Sequence, residues 1–278
     1  MKYYKFMTIK YIAGGCSFTF GHELGDEQEP KVPSKKSWAY RLFQHTPVGP
    51  AKDFVNTASG GIGNTAIARR VFQEVSKHPA ESIKGVLVMW TFASRYDWAF
   101  PRHKDLENQR WASISPWDTN IGTAERHRSI ANSEIQLKQW KERDKRYEDA
   151  GVKPFANALY RHAANWFHEI YLSWNAIIWL QNILEKKKIP FMFTLADNSL
   201  FYKEFEQHKD SEPLLNALHK EIDFTKWYSF GERMMGFNQW ANLNEYKRGI
   251  THPLDKAHED AIMLMKPTFY KLIGEKND

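Results

Sequence analysis

Ala13-Gly14-Gly15-Cys16-Ser17-Phe18-Thr19-Phe20-Gly21 follows the apolar run Ile9–Ile12. The run reads as a buried strand. The small residues after it let the backbone turn sharply, and Ser17 falls just past the strand end. In an open α/β sheet, ligands bind in the crevice beyond the carboxyl ends of the strands. The same stretch also reads as an ordinary strand-to-helix turn with Ser17 as a helix cap. The rest of the chain has to decide between the two.

Working outward, strand one spans about residues 8–15, and the polar stretch 22–36 is a surface loop. Ser37 caps a helix over Trp38–His45. Asp53–Asn56 is a short second strand. It runs into the glycine-rich loop Thr57-Ala-Ser-Gly60-Gly61-Ile-Gly63-Asn64 and a helix over Thr65–Lys77, with Ile67, Val71 and Val75 at helical spacing. Gly85-Val-Leu-Val-Met-Trp90 is a continuous apolar run of the kind found in parallel sheets covered on both faces. The longest helical pattern runs from Ala156 to Lys187. Ile189–Leu195 is a fourth strand, with Pro190 near its start, where a missing N–H is tolerated. A terminal helix containing Ala261, Ile262 and Met265 follows His258 and is expected to bend at Pro267. The stretches 97–155 and 197–250 lack a sustained apolar period and read as insertions, the first with a helix around Ser129–Ala150. Alternating strands and helices predict one α/β domain over residues 1–278. The expected architecture is three-layer α/β/α with a mostly parallel, doubly wound, flavodoxin-like sheet and two helical or loop insertions.

Composition narrows the function classes. The formal net charge of +6 is spread along the 278 residues, and the densest run, Lys186-Lys187-Lys188, sits at a helix C-terminus, where cations offset the dipole. A nucleic-acid footprint needs a concentrated basic stripe, so no nucleic-acid partner is expected. The single cysteine excludes an internal disulfide framework and fits a reducing compartment. Met1–Lys10 has no apolar signal core, and no apolar run is long enough to span a bilayer. The expectation is a soluble, cytoplasmic protein with no membrane partner, or one packaged into a larger particle.

The predicted sheet brings three loops to one edge: Ser17 after strand one, the glycine loop after strand two, and Thr91–Arg95 after strand three. The late segment carrying Asp255 and His258 closes over that edge. Acyl transfer needs a serine relieved of its proton by an imidazole, a carboxylate or carbonyl to orient that imidazole, and fixed N–H donors for the oxyanion. The order of the blocks resembles the SGNH (GDSL-type) hydrolases. Gly15-Cys-Ser17-Phe-Thr-Phe-Gly21 is similar to the first block, with Cys16 where the family usually has Asp. Asn56-Thr-Ala-Ser-Gly60-Gly61 is similar to the second, and Asp255-Lys-Ala-His258 to the last. The wording is most similar to the SGNH-like proteins of tailed bacteriophages.

The resemblance implies an ester hydrolase needing no cofactor, with Ser17 as nucleophile, His258 as base then acid, and Asp255 orienting it. Oxyanion donors would be the Ser17 and Gly61 backbone N–H groups and one Asn side chain. The third block should supply that Asn, yet this chain reads Trp90-Thr91-Phe-Ala-Ser94-Arg95. Asn64 or the Thr91 hydroxyl is the candidate replacement, and Arg95 a candidate substrate ligand. The expected substrate is a small-molecule or carbohydrate ester, an O-acetyl or short acyl group. The alternative is a binding or structural protein, virion-associated, that keeps the fold with weak or lost catalysis.

Other readings of the same residues are less productive. His252 reads as a loop residue stiffened by Pro253, His22 as exposed, and Cys16 as a small buried residue. Gly61-Ile-Gly63-Asn-Thr-Ala66 has the form of a dinucleotide fingerprint, but the next strand ends without the acidic residue that would hold a ribose. No metal-ligand spacing is present in the sequence.

Overall fold

The computed structural model describes residues 9–26, 32–46, 52–102, 110–119, 134–201 and 213–274. Four strands form a parallel sheet: β1 (Ile9–Gly15), β2 (Lys52–Asn56), β3 (Ile83–Trp90) and, later in the chain, β6 (Phe191–Leu195). The spatial order is β2-β1-β3-β6, with Tyr11 opposite Phe54, Ile12 opposite Val86 and Val88 opposite Phe193. This is the flavodoxin-like order, in which the chain reverses direction across β1. The carboxyl end of β1, and Ser17 after it, therefore lies at the switch point.

Alternation along β1 sends neighbouring side chains to opposite layers. Tyr11 packs on Phe43 of α2 (Trp38–Gln44) and on Phe269 of α9 (Asp255–Ile273), with ring centroids 5.5 and 6.3 Å apart. Gly14 faces Val71 of α3 (Asn64–Val75), so closely that a Cβ there would collide with the Val71 side chain. Helix α6 (Trp166–Lys186) packs beside α3, which completes the three-layer α/β/α architecture. The core between the layers holds Trp38, Trp90 and Trp174, all fully buried. No helix among the described residues is long and apolar enough to cross a membrane.

The expected single helix over Ala156–Lys187 is instead two: α5 (Val152–His162) and α6. Ala163 and Ala164 both donate to the Leu159 carbonyl, and Asn165 starts the second helix by accepting the His168 N–H at 2.9 Å. An N-cap of this kind satisfies an orphan donor of the first turn and fixes the break. In the expected helix around Ser129–Ala150, residues 129–133 lie outside the described residues, and α4 covers Glu134–Asp149.

Within the first insertion, β4 (Tyr96–Ala99) pairs antiparallel with β5 (Trp111–Ile114). Tyr96, Phe100, Ile114, Tyr147 and Val152 form a small apolar cluster of their own. The hairpin is tied to α3 by a two-pronged ion pair, Arg69 Nε and Nη2 to the Asp97 carboxylate at 3.0 and 3.2 Å. The Tyr160 hydroxyl lies near the carbonyls of Ser94 (2.6 Å) and Ile114 (3.1 Å) and donates to them, so α5 braces the loop that leaves β3.

Candidate active site

Ser17 opens the four-residue helix α1 (Ser17–Phe20). The N–H groups of Thr19 and Phe20 donate to the Cys16 carbonyl, and those of Gly21 and His22 to the Ser17 carbonyl, so the backbone coils immediately after β1. Gly15 is required there, because a Cβ would collide with the Thr19 side chain. Asn56 locks the neighbouring loop in place: its amide donates to the Thr19 carbonyl and accepts the Ala58 N–H, both at 3.0 Å. Glu23 follows with φ +69°, a left-handed conformation uncommon outside glycine. Residues held in such conformations cluster at functional sites.

The side chain beside Ser17 is that of His252, with Oγ to Nε2 at 2.7 Å. Across the ring, His252 Nδ1 lies 3.2 Å from Glu23 Oε2 and 2.8 Å from the Thr251 hydroxyl. Both acceptors stand on the Nδ1 side, which assigns the proton to Nδ1 and leaves Nε2 to accept from Ser17. The Glu23 carboxylate is itself fixed by the N–H groups of Thr251 (3.1 Å) and His252 (2.9 Å). Its closeness to the late loop leaves no room for a side chain on Gly249, where a Cβ would lie 2.6 Å from Glu23 Oε2. Arg248 straps that loop to α8 (Phe237–Leu243), donating to the side chains of Asn238 and Asn242 and to the Thr251 carbonyl. Phe18 lies edge-on to the His252 ring at 4.7 Å, and the His22 ring lies near-parallel to it at 6.1 Å.

Electrostatics fit a resting base. Burial depresses the His252 pKa below its ordinary value, the charges of His22 and Arg95 add to this, and the Glu23 carboxylate opposes it without prevailing. His252 is therefore neutral at pH 7. Burial also works against the charge on Glu23. The hydrogen bonds from the His252 ring and from two backbone N–H groups, with the attraction of His252, overcome it and hold the carboxylate at about 2. The two shifts do not mirror each other. Glu23 collects several donors, whereas the imidazole loses water on nearly every side. The result is a hydroxyl, a neutral imidazole and an ionised carboxylate in series, the arrangement that makes a serine nucleophilic.

The residues expected to form this series with Ser17 stand elsewhere. His258 is buried in α9, and its Nδ1 accepts the Trp38 N–H at 3.0 Å, the first orphan donor of α2. It is a helix cap made by a ring from another helix. Burial pushes its pKa down to about 3. Asp255 accepts from Lys36 Nζ at 2.6 Å and from the Gly25 N–H at 3.0 Å, and among the described residues its carboxylate is bonded to neither ring nitrogen of His252. Its carboxylate, opposed by burial but held by Lys36 and the Gly25 N–H, sits below the usual range.

Asn64 does not supply an oxyanion donor. Its amide donates to the Thr91 carbonyl and to Ser173 Oγ, each at 3.0 Å, and accepts the Thr91 N–H at 2.8 Å. The Thr91 hydroxyl is fully buried and accepts from Arg95. Asn64 thus clamps the start of the β3 loop onto α3 and α6. Replacing it with Ala strips the buried Thr91 N–H of its acceptor, and we expect about 2–4 kcal/mol of lost stability in urea unfolding. A loss below about 0.5 kcal/mol would contradict this clamp. Among the described residues, no acceptor is bonded to the N–H of Ser17 or of Gly61, and Gly61 (φ +76°) borders open space. Cys16 is buried, as expected; His22 is half-buried and stacked on Phe20, where the sequence suggested an exposed side chain.

Sequence reasoning missed His252 and Glu23. The signal for His252 was its neighbour: Pro253 holds the residue before it out of a helix, on the loop that reaches the sheet edge. Glu23 carried no comparable signal.

No family model matches the sequence, and no curated protein does. Among solved structures, the chain is similar to the lipase Lip_vut3 from a goat rumen metagenome, at 9% identity and TM-score 0.45, over 95% of this chain and 98% of that one. It is also similar to the acetylxylan esterase Axe2 from Geobacillus stearothermophilus, at 10% identity and TM-score 0.43, over 96% and 95%. A third is an acetyl xylan esterase from Butyrivibrio proteoclasticus, at 12% identity and TM-score 0.41, over 96% of this chain and 64% of that one.

Proposed function

We propose that this chain is a serine hydrolase of the SGNH type that cleaves carboxylic esters, with Ser17 as nucleophile, His252 as general base and acid, and Glu23 as the orienting carboxylate. The observation that carries the reading is the unbroken contact from Ser17 Oγ through both nitrogens of His252 to Glu23. Ser17 Oγ attacks the ester carbonyl as its proton passes to His252 Nε2. The N–H groups of Ser17 and Gly61 take the oxyanion. Collapse breaks the bond to the alcohol, which leaves with the proton from His252. Water then attacks the acyl-serine, again giving its proton to His252, and the acid departs as Ser17 recovers its hydrogen. A short acyl group such as acetyl on a carbohydrate is the substrate class favoured by the exposed indole of Trp98 on the β4–β5 hairpin, which suits stacking on a sugar ring.

A second reading is a binding protein that keeps the fold, and one observation favours it. With Asn64 committed to Thr91, no side-chain amide among the described residues is assigned to the oxyanion, and a missing donor costs on the order of 10²–10³ in rate. Labelling with a fluorophosphonate decides between them. We expect an adduct on Ser17 that disappears in Ser17→Ala, and a labelling rate whose acid fall-off is displaced to lower pH than an ordinary imidazole would give, because burial favours the neutral ring of His252. A folded wild-type protein that takes up no label and turns over no acetyl ester would leave only the binding protein.

A further inference from the structure

Arg95 is a cation tied to the glycine loop of this site, and its guanidinium is held by one end. Its Nη1 donates to the Ile62 carbonyl at 3.3 Å and to Thr91 Oγ1 at 3.1 Å. The guanidinium lies over the Phe92 ring, 4.9 Å from the centroid. Its backbone packs against Gly63 so tightly that any side chain there would strike the Arg95 carbonyl. Ile62 is the next residue after Gly61, so the anchor ties the charge to the loop that offers the second oxyanion donor. Among the described residues, no carboxylate pairs with Arg95, whereas Arg69 and Arg143 have Asp97 and Asp118. The Nε and Nη2 donors carry no bond to any described residue. Together they form the planar two-donor edge that matches a carboxylate.

An unneutralised cation at this place is a cost to the chemistry. Its field reaches His252 and disfavours the imidazolium that forms as Ser17 attacks. Bound anion removes that penalty at the moment of reaction, so ligand charge and basicity of the relay are coupled.

We propose that the Nε/Nη2 edge of Arg95 binds a carboxylate of the substrate, which makes the site selective for esters of acid-bearing molecules. This rests on the hydrolase reading above and adds the substrate's charge to it. The rigid anchor through Nη1 and Phe92 gives a fixed position for the carboxylate relative to Gly61. A lysine there would keep the charge and lose the fork.

The test compares 4-acetoxybenzoate with its neutral isostere 4-acetoxybenzamide, and the 3-isomers of each, in wild type, Arg95→Gln and Arg95→Lys. The intrinsic reactivities of each pair cancel when the ratio of kcat/KM, charged over neutral, is compared between proteins. We expect that ratio to fall about tenfold or more in Arg95→Gln for at least one isomer, with Arg95→Lys between. A merely structural role would slow both esters together, and a ratio constant within about twofold for both isomers overturns the proposal. Should Ser17 resist labelling, the hydrolase reading fails and the carboxylate site is decided on its own by titrating benzoate and benzamide into Ser17→Ala and Ser17→Ala/Arg95→Gln, followed by NMR. Benzoate binding lost with Arg95 upholds the site; equal binding of the two ligands, or none, overturns it.

Discussion

His252→Ala should lower kcat/KM for an acetyl ester by about 10⁴-fold or more, to the level reached by Ser17→Ala. The two side chains act as one unit, since among the described residues the hydroxyl has no other base within reach: its contact at 2.7 Å is to His252 Nε2. His258→Asn is the matched control. An Asn Oδ1 stands near the position of Nδ1 and can accept the Trp38 N–H, so α2 keeps its cap. Per folded molecule, that variant should turn over ester like the wild type. If His258→Asn instead abolished turnover while His252→Ala left it intact, the relay drawn here would be wrong and the one suggested by Asp255-x-x-His258 would stand.

A steep acid limb of stability is the second large effect. His258 has a folded pKa of about 3 against 6.5 for an unperturbed imidazole. The unfolded chain therefore takes up its proton first as pH falls. The stability contributed by the neutral buried ring is complete above pH 6.5 and drains away at about 1.4 kcal/mol per pH unit towards pH 3. Glu23 adds to the loss below about 4.5, because its folded value lies at about 2 and protonation in the unfolded chain precedes that in the native state. His258→Asn carries no titrating group and should flatten the upper part of the limb. Urea unfolding at half-unit intervals from pH 7 to 4 measures it. Parallel slopes for the two proteins would show that His258 is not the group responsible.

Much of the fold could be read from residue patterns, because local chemistry and tertiary position agree there. The run Gly85–Trp90 lies within β3 and is buried on both faces, and Pro190 sits at the edge of β6, where its lost donor costs nothing. Agreement failed where a weak local signal met a decisive long-range one. Ala163-Ala164 favours continuing a helix, and only the side chain of Asn165 shows why the chain stops. The two histidines illustrate the same point in opposite directions. His258 falls at a position continuous with Ala261, Ile262, Met265 and Phe269, the apolar stripe of α9, and that periodicity was a legible argument for the core. The spacing to Asp255 points the other way, to a relay, and the structure follows the stripe. Glu23 could not have been chosen at all: it lies in a loop with several other carboxylates, and what distinguishes it is a left-handed backbone and two N–H donors some 228 and 229 residues away.

That distance bears on how the protein is made. Ser17 and Glu23 lie six positions apart, and His252, the side chain that joins them, arrives 235 residues after the serine. A growing polypeptide therefore carries Ser17 and Glu23 through most of its synthesis with no imidazole of the relay between them. On the proposed relay, hydrolytic competence would come only once the Arg248-strapped loop has folded back onto the sheet edge. A chain cut short before Thr251 would bear the serine and remain silent.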